Sequence, residues 1–276
     1  MLNISSKLEN IPNKVNIMVE NQQKKRGIYL FPNLITTAGL FAGFYAIVAA
    51  FKADFESSAI ALFVAVVMDS LDGRVARLTG TQSSFGAQYD SLSDMVCFGM
   101  TPALVVYSWG LQYLGKIGWL VAFMYVAATG LRLARFNLNV DDLDKRFFIG
   151  LPCTSAAAVV AGMIWVATDF AIPGRQIRFL IAFVIISLSL LMVSNLRYHS
   201  FKEIDLKGNV SFITIFLVVF IYALVAWNPA GILFGVFFFY ALSGLVLFFK
   251  NKIHINLHNF RNNNKNMISK RITSIK

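Results

Sequence analysis

The sequence predicts an all-α, polytopic membrane bundle of about eight transmembrane helices, and three observations predict it. The 276 residues are 57% hydrophobic and only 14% charged, with 26 phenylalanines. A soluble domain cannot hide that much apolar surface. Apolar stretches long enough to cross ~30 Å of hydrocarbon recur near 33-52, 58-79, 88-113, 117-136, 154-172, 178-196, 210-227 and 230-249. Charge placement agrees: with the amino terminus in the cytoplasm, all of the 25 Lys and Arg residues except Lys52, Lys116, Arg175 and Arg178 fall on cytoplasmic segments or helix ends. The expected location is therefore a multi-pass position in a bacterial-type cytoplasmic (inner) membrane.

Taken in order, residues 1-29 form a cytoplasmic or interfacial segment, 30-250 a transmembrane domain and 251-276 a basic cytoplasmic tail. The first segment lacks the order of a secretory signal, so the first span serves as the insertion signal. Lys24, Lys25 and Arg26, followed by Ile28 to Phe31, suit the headgroup layer. Pro32 sits where a helix can begin. Gly39 and Gly43 make a small-x3-small pair suited to close helix packing. The second span is weakened by its own charges, and the fourth ends in Arg132 and Arg135. The tail, rich in Asn, Lys and Ile, has no sustained apolar face.

The net charge of +11 does not point to a nucleic-acid partner, because the basic residues lie at membrane edges and in the tail. Membrane lipids are the natural partners of that pattern. Cys97 and Cys153 have no metal-like spacing and read as apolar packing. His199, His254 and His258 fall in loop or tail contexts far in sequence from any acidic cluster, which argues against catalysis.

The acidic cluster carries the chemistry. Asp69, Asp72, Asp90 and Asp94 lie within hydrophobic surroundings as two pairs on consecutive helices. A lone Asp at a helix centre opposes insertion by roughly 2.5 to 3.5 kcal/mol, so four near one site demand neutralisation or water. Residues three and four apart share a helix face, which sets Asp69, Asp72, Gly73 and Ala76 on one stripe and Gly86, Asp90 and Asp94 on another. Two such stripes facing each other make an acidic cleft floored by small residues. Carboxylate oxygens suit divalent cations such as Mg²⁺ or Mn²⁺, with Ca²⁺ also compatible. Four carboxylates can neutralise two such ions while leaving positions for phosphate oxygens. Arg132 and Arg135, three apart on one face, suit an anionic group of an acceptor or a phosphate, or else snorkel to headgroups.

The run Asp69-x2-Asp72-Gly73-x2-Ala76-Arg77-x8-Gly86-x3-Asp90-x3-Asp94 fixes eight residues over 26 positions. It resembles the signature of the CDP-alcohol phosphatidyltransferases, membrane enzymes that join a CDP-linked group to an alcohol and release CMP. Ser93 to Ala103, Arg132-Leu133-Ala134-Arg135-Phe136-Asn137 and Gly150-Leu151-Pro152 resemble the phosphatidylserine synthase branch of that family. The resemblance runs from about Phe31 to Ala158. One departure is Cys153-Thr154-Ser155, where members of that branch often carry a proline; it bears on how the next helix is entered.

The resemblance implies a six-helix catalytic core, usually homodimeric, to which two further spans are added here. It implies CDP-diacylglycerol and L-serine as substrates and phosphatidylserine and CMP as products. Asp69, Asp72 and Asp90 become metal ligands, with Asp94 a further ligand or the catalytic base. Asn33, Thr36, Gly73, Ala76, Arg77 and Gly86 are expected along the CDP-lipid, and Arg132 and Arg135 at the acceptor or a phosphate. Glycerol 3-phosphate, inositol and choline are the competing acceptors within the family, and an ion transporter is the alternative outside it. Displacement without a histidine or cysteine nucleophile fits the motif, with a carboxylate nucleophile also open.

Overall fold

The computed structural model describes residues 10–138, 147–199, 212–244 and 246. The N-terminal 9 residues and the whole of the expected tail 251–276, including His254 and His258, lie outside the described residues. The described chain is helical throughout, apart from one short ribbon. Helix α1 (Asn10–Phe51) is followed by α2 (Phe55–Thr79), α3 (Ser84–Asp94), a π-helical turn (Met95–Met100), α4 (Thr101–Trp109) and α5 (Lys116–Leu138). After them come β1 (Phe147–Ile149), α6 (Cys153–Asp169), α7 (Arg178–Val193), β2 (Arg197–His199), α8 (Phe212–Trp227) and α9 (Pro229–Gly244).

Pro32 lies inside α1, not at its start, because the helix continues N-terminally to Asn10. Helix α2 is bounded at both ends by its own sequence. Asp54 accepts the Ser57 N–H at 3.1 Å as N-cap. Gly80, at φ 62°, ends the helix with its N–H on Arg77 O, while the Thr81 N–H reaches Ala76 O. A residue with a Cβ resists that left-handed conformation, so the glycine is the stop signal.

Among the described residues, two segments are long and apolar enough to cross a membrane, Leu30–Phe51 and Lys116–Leu138. Helices α6, α7 and α9 are apolar but shorter. The expected single span 88-113 is instead a continuous α–π–α rod from Ser84 to Trp109. Its irregular turn comes directly after Asp94, and single π turns are concentrated at functional sites.

Helix α6 forms the centre of the bundle. Residues Ser155 to Ile164 include Ala156, Ala157, Ala158, Val160 and Ala161, all fully buried. A helix that is apolar on every side belongs inside, and its alanines let α2 and the π turn approach closely. Phe41, Phe44, Phe123, Phe183 and Leu190 face outward. An outer surface of that kind suits hydrocarbon, because helices satisfy their own backbone hydrogen bonds there.

The antiparallel ribbon, absent from the sequence expectation, pairs Phe148 with Tyr198. It explains the Gly150-Leu151-Pro152 motif. Gly150, at φ 80°, passes so close to the end of α7 that a Cβ would lie 2.3 Å from Met192 O. Its N–H donates to Leu196 O at 2.8 Å, and the Leu151 N–H donates to Leu191 O at 3.1 Å. Helix α6 then starts at Cys153 immediately after Pro152, so the Cys-Thr-Ser departure leaves an ordinary helix entry. Buried Tyr198 donates to Ala241 O at 3.0 Å and ties α9 to the ribbon.

Candidate active site

Helix α1 packs along α2 and against the rod of α3 and the π turn. Glycine makes this approach possible: a Cβ on Gly43 would stand 2.9 Å from Cys97 Sγ, and one on Gly39 would stand 3.2 Å from Met68 Cβ. The expected glycine pair therefore does serve close packing. Thr101 Oγ1 donates within its own rod to Val96 O at 2.9 Å and lies 3.3 Å from Gly43 O. These contacts fix the rotation of α3 relative to α2, and so decide where the carboxylates meet.

Asp69, Asp72 and Asp90 each present an oxygen within 4.8 Å of the others. Asp94, half-buried at the last position of α3, lines the same cleft as Asp69, Asp72 and Asp90. The two helix stripes thus face each other as their spacing predicts, with three aspartates converging and the fourth beside them. Two unit charges at such a distance repel by about 3 kcal/mol at an effective dielectric near 20. An all-oxygen donor set of this charge fits hard divalent cations.

Thr36 is buried on α1, and its hydroxyl donates to Asp72 Oδ2 at 2.6 Å. Its side chain therefore holds a carboxylate of the cluster, a role that spacing along the chain cannot reveal across 36 residues. Asn33, one turn earlier, brings Oδ1 to 3.4 Å from where a Cβ on Gly86 would be. Ser83 caps α3 by accepting the Gly86 N–H at 3.0 Å. Gly73 lies under the exposed Arg77, whose Nη1 would be 3.7 Å from an added Cβ. Ala76 is half-buried on the same turn. Asn33 and Gly86 thus meet where α1 passes α3, while Gly73, Ala76 and Arg77 share the last turns of α2. Tyr89 on α3 reaches Thr37 of α1 at 2.9 Å, a link between helices that the sequence reading missed.

The two arginines on α5 separate. Arg135 Nη1 donates to Val193 O at 3.2 Å and Nη2 donates to Asn195 Oδ1, which satisfies the carbonyl end of α7. Arg132 is buried, donates from Nη1 to Cys153 Sγ at 3.3 Å, and has no hydrogen-bond partner for Nε. Cys153 is therefore more than apolar filling. Cys97 donates to Gly39 O at 3.5 Å beside the cleft. His199 lies in β2, opposite Phe147 of β1.

Comparison with known proteins adds an independent line. Residues 29–194 match the CDP-alcohol phosphatidyltransferase family. A Helicobacter pylori protein named CDP-diacylglycerol–serine O-phosphatidyltransferase is 34% identical over 231 residues, covering 82% of this chain and 97% of the relative. A Mycobacterium tuberculosis protein of the same name is 32% identical over 201 residues, 70% of this chain and 69% of its own. An archaetidylserine synthase from Methanothermobacter thermautotrophicus is 32% identical over 180 residues, 64% of this chain and 73% of its own. The match spans the cleft, both arginines and the first strand of the ribbon, and the chain belongs to the CDP-alcohol phosphatidyltransferase family.

Proposed function

We propose that this protein transfers the phosphatidyl group from CDP-diacylglycerol to the hydroxyl of L-serine, giving phosphatidylserine and CMP. The convergence of Asp69, Asp72 and Asp90 beside Asp94 carries the reaction class. The acceptor is carried by the relatives: the bacterial proteins and the archaeal one are named for different lipids but share serine.

Asp69, Asp72 and Asp90 would hold the divalent cations, two Mg²⁺ or Mn²⁺ in this reading, with Asp94 within reach of them. Bound there, the cations supply charge neutralisation for the pyrophosphate and the departing CMP. Thr36 holds Asp72 in place from α1. Asn33, Gly73, Ala76 and Gly86 leave room for the cytidine and its diphosphate, and Arg77 offers a phosphate contact. Asp94 is the base: the serine O–P bond forms as the P–O bond to CMP breaks, and the hydroxyl proton passes to its carboxylate. In this reading Arg135 acts on the α7 end, leaving Arg132 as the anion contact.

A panel of acceptors tests the reading directly. With purified protein, CDP-diacylglycerol and Mg²⁺ or Mn²⁺, serine is expected to outperform glycerol 3-phosphate, inositol and choline as judged by the lipid product. Glycerol 3-phosphate as the sole productive acceptor would refute serine while leaving the family intact. An ion transporter would move ions across sealed vesicles without CDP-lipid, and the enzyme releases CMP in detergent.

Thr36→Val removes the hydroxyl that holds Asp72 at nearly constant volume. Losing such an outer partner of a ligand costs 10- to 100-fold. The Mg²⁺ or Mn²⁺ concentration for half-maximal activity is expected to rise about tenfold, and an unchanged metal titration would remove Thr36 from the site.

The full topology is eight spans in an inner membrane, both termini and the 79–84 loop cytoplasmic, with the cleft opening to the cytoplasm. Single-cysteine labelling in a Cys97- and Cys153-free background should reach positions near Lys52 and Gly115 from outside and leave Thr81 unmodified. External labelling of Thr81 in sealed cells contradicts this orientation. The homodimer implied by the family resemblance is checked by light scattering of the purified protein in detergent.

A further inference from the structure

Helix α3 carries Asp90 and Asp94 but has little packing to hold it. Of its 11 residues only Ser93 is buried, so side-chain hydrogen bonds bear more of its placement than they do in the buried helix α6. The residues on either side of Asp90 each reach a different helix. The Tyr89 hydroxyl lies 2.9 Å from Thr37 Oγ1 on α1, and Ser91 Oγ accepts from Asn137 Nδ2 on α5 at 3.1 Å.

Proton counting gives the first of these bonds its direction. The one hydroxyl hydrogen of Thr37 goes to Asn33 O at 2.7 Å, so the Tyr89 O–H donates and Thr37 Oγ1 accepts. Thr37 directly follows Thr36, whose hydroxyl donates to Asp72 Oδ2 at 2.6 Å. Adjacent residues of α1 thus hold both carboxylate-bearing helices: Thr36 holds α2 at Asp72 itself, and Thr37 holds α3 one residue before Asp90. Farther along, α1 meets the same rod where Cys97 donates to Gly39 O at 3.5 Å and Thr101 Oγ1 lies 3.3 Å from Gly43 O. Asp90 and Asp94 therefore lie between the tyrosine contact and the thiol contact. Oxygens of Asp72 and Asp90 come within 4.8 Å of each other, and that approach depends on how α3 is set against α1.

We propose that Tyr89, acting through Thr37, is a positioning residue that sets the cation ligand Asp90 against Asp72. The proposal rests on the cation-site reading above and is independent of the acceptor. A ligand that must be drawn back into place when the cation binds lowers the affinity for the cation, whereas the loaded site turns over as before.

The test is Mn²⁺ binding to the purified protein in detergent, followed by electron paramagnetic resonance without CDP-diacylglycerol or acceptor, and paired with turnover. Tyr89→Phe keeps the ring stacked on Phe85 at 6.1 Å and leaves Thr37 its own bond to Asn33 O, so thermal stability should be retained. The Mn²⁺ concentration at half-saturation should rise about fivefold, the loss expected for one neutral hydrogen bond. At saturating Mn²⁺, kcat and the KM values for serine and CDP-diacylglycerol should stay within about twofold. Thr37→Val should give the same shift, and Thr37→Ser, which keeps the hydroxyl, should bind Mn²⁺ like wild type. Because both variants break one bond, Tyr89→Phe combined with Thr37→Val should again cost about fivefold, not the roughly 25-fold of independent effects.

Unchanged Mn²⁺ affinity in Tyr89→Phe overturns the proposal, as does a multiplicative loss in the double variant or a fall confined to kcat at saturating Mn²⁺. The cation-site reading fails in a different arm, where wild-type protein itself binds no Mn²⁺; that result removes both.

Discussion

Asp94→Asn is expected to abolish most phosphatidyl transfer while leaving CDP-diacylglycerol binding largely intact. The hydroxyl of serine is a poor nucleophile at neutral pH, and a positioned base contributes on the order of 10² to 10⁴-fold by taking its proton during attack. Asp94 is placed for that task. It closes α3 at the junction with the π turn and lines the cleft, but stands apart from the tight group of Asp69, Asp72 and Asp90. Asparagine keeps the shape and removes the basic oxygen. Turnover assays paired with CDP-lipid binding by calorimetry read the two effects separately. Near-wild-type turnover eliminates Asp94 as the base, and a parallel loss of metal binding reassigns it as a ligand.

Metal removal should have an effect at least as large. Chelation is expected to stop turnover, with activity returning on addition of Mg²⁺ or Mn²⁺. Without cations the oxygens of three carboxylates, within 4.8 Å of one another, face an anionic pyrophosphate. Asp69→Ala and Asp72→Ala should each lower activity at least about a hundredfold, beyond the 10- to 100-fold typical when only an outer partner of a ligand is lost. Mn²⁺ binding followed by electron paramagnetic resonance should weaken in both. Full activity of the metal-free enzyme would reject the site.

Much of the site was legible in the linear sequence because its key spacings are local. Asp69 and Asp72 are three apart, Asp90 and Asp94 four apart, and a helix turns each spacing into a shared face. Gly80 and Asp54 mark the ends of α2 through backbone rules that need no tertiary partner. The family could be read for the same reason, since its signature lies within one stretch of 26 positions.

Other features required the fold. Pro32 reads as a helix start, yet α1 runs through it. The π turn replaces what hydropathy shows as one uniform span, because its register is tied to contacts between Thr101 and Gly43, and between Cys97 and Gly39, across 58 residues. The ribbon of Phe147–Ile149 and Arg197–His199 is too short for a periodic signal and is formed by pairing across two helices.

The sequence by itself determined the helical class, the acidic cluster and the metal-compatible donor set, since composition and short helical spacings contain them. Only the tertiary structure decided that Thr36 holds Asp72, that Arg135 satisfies the end of α7, and that Arg132 is buried against Cys153 with its Nε unpaired. Those distinctions depend on which helix faces which. Arg132 and Arg135 are equivalent along the chain, but a helix turns about 100° per residue, so a separation of three leaves them about 60° apart. That rotation directs one into the bundle toward α6 and the other toward the end of α7.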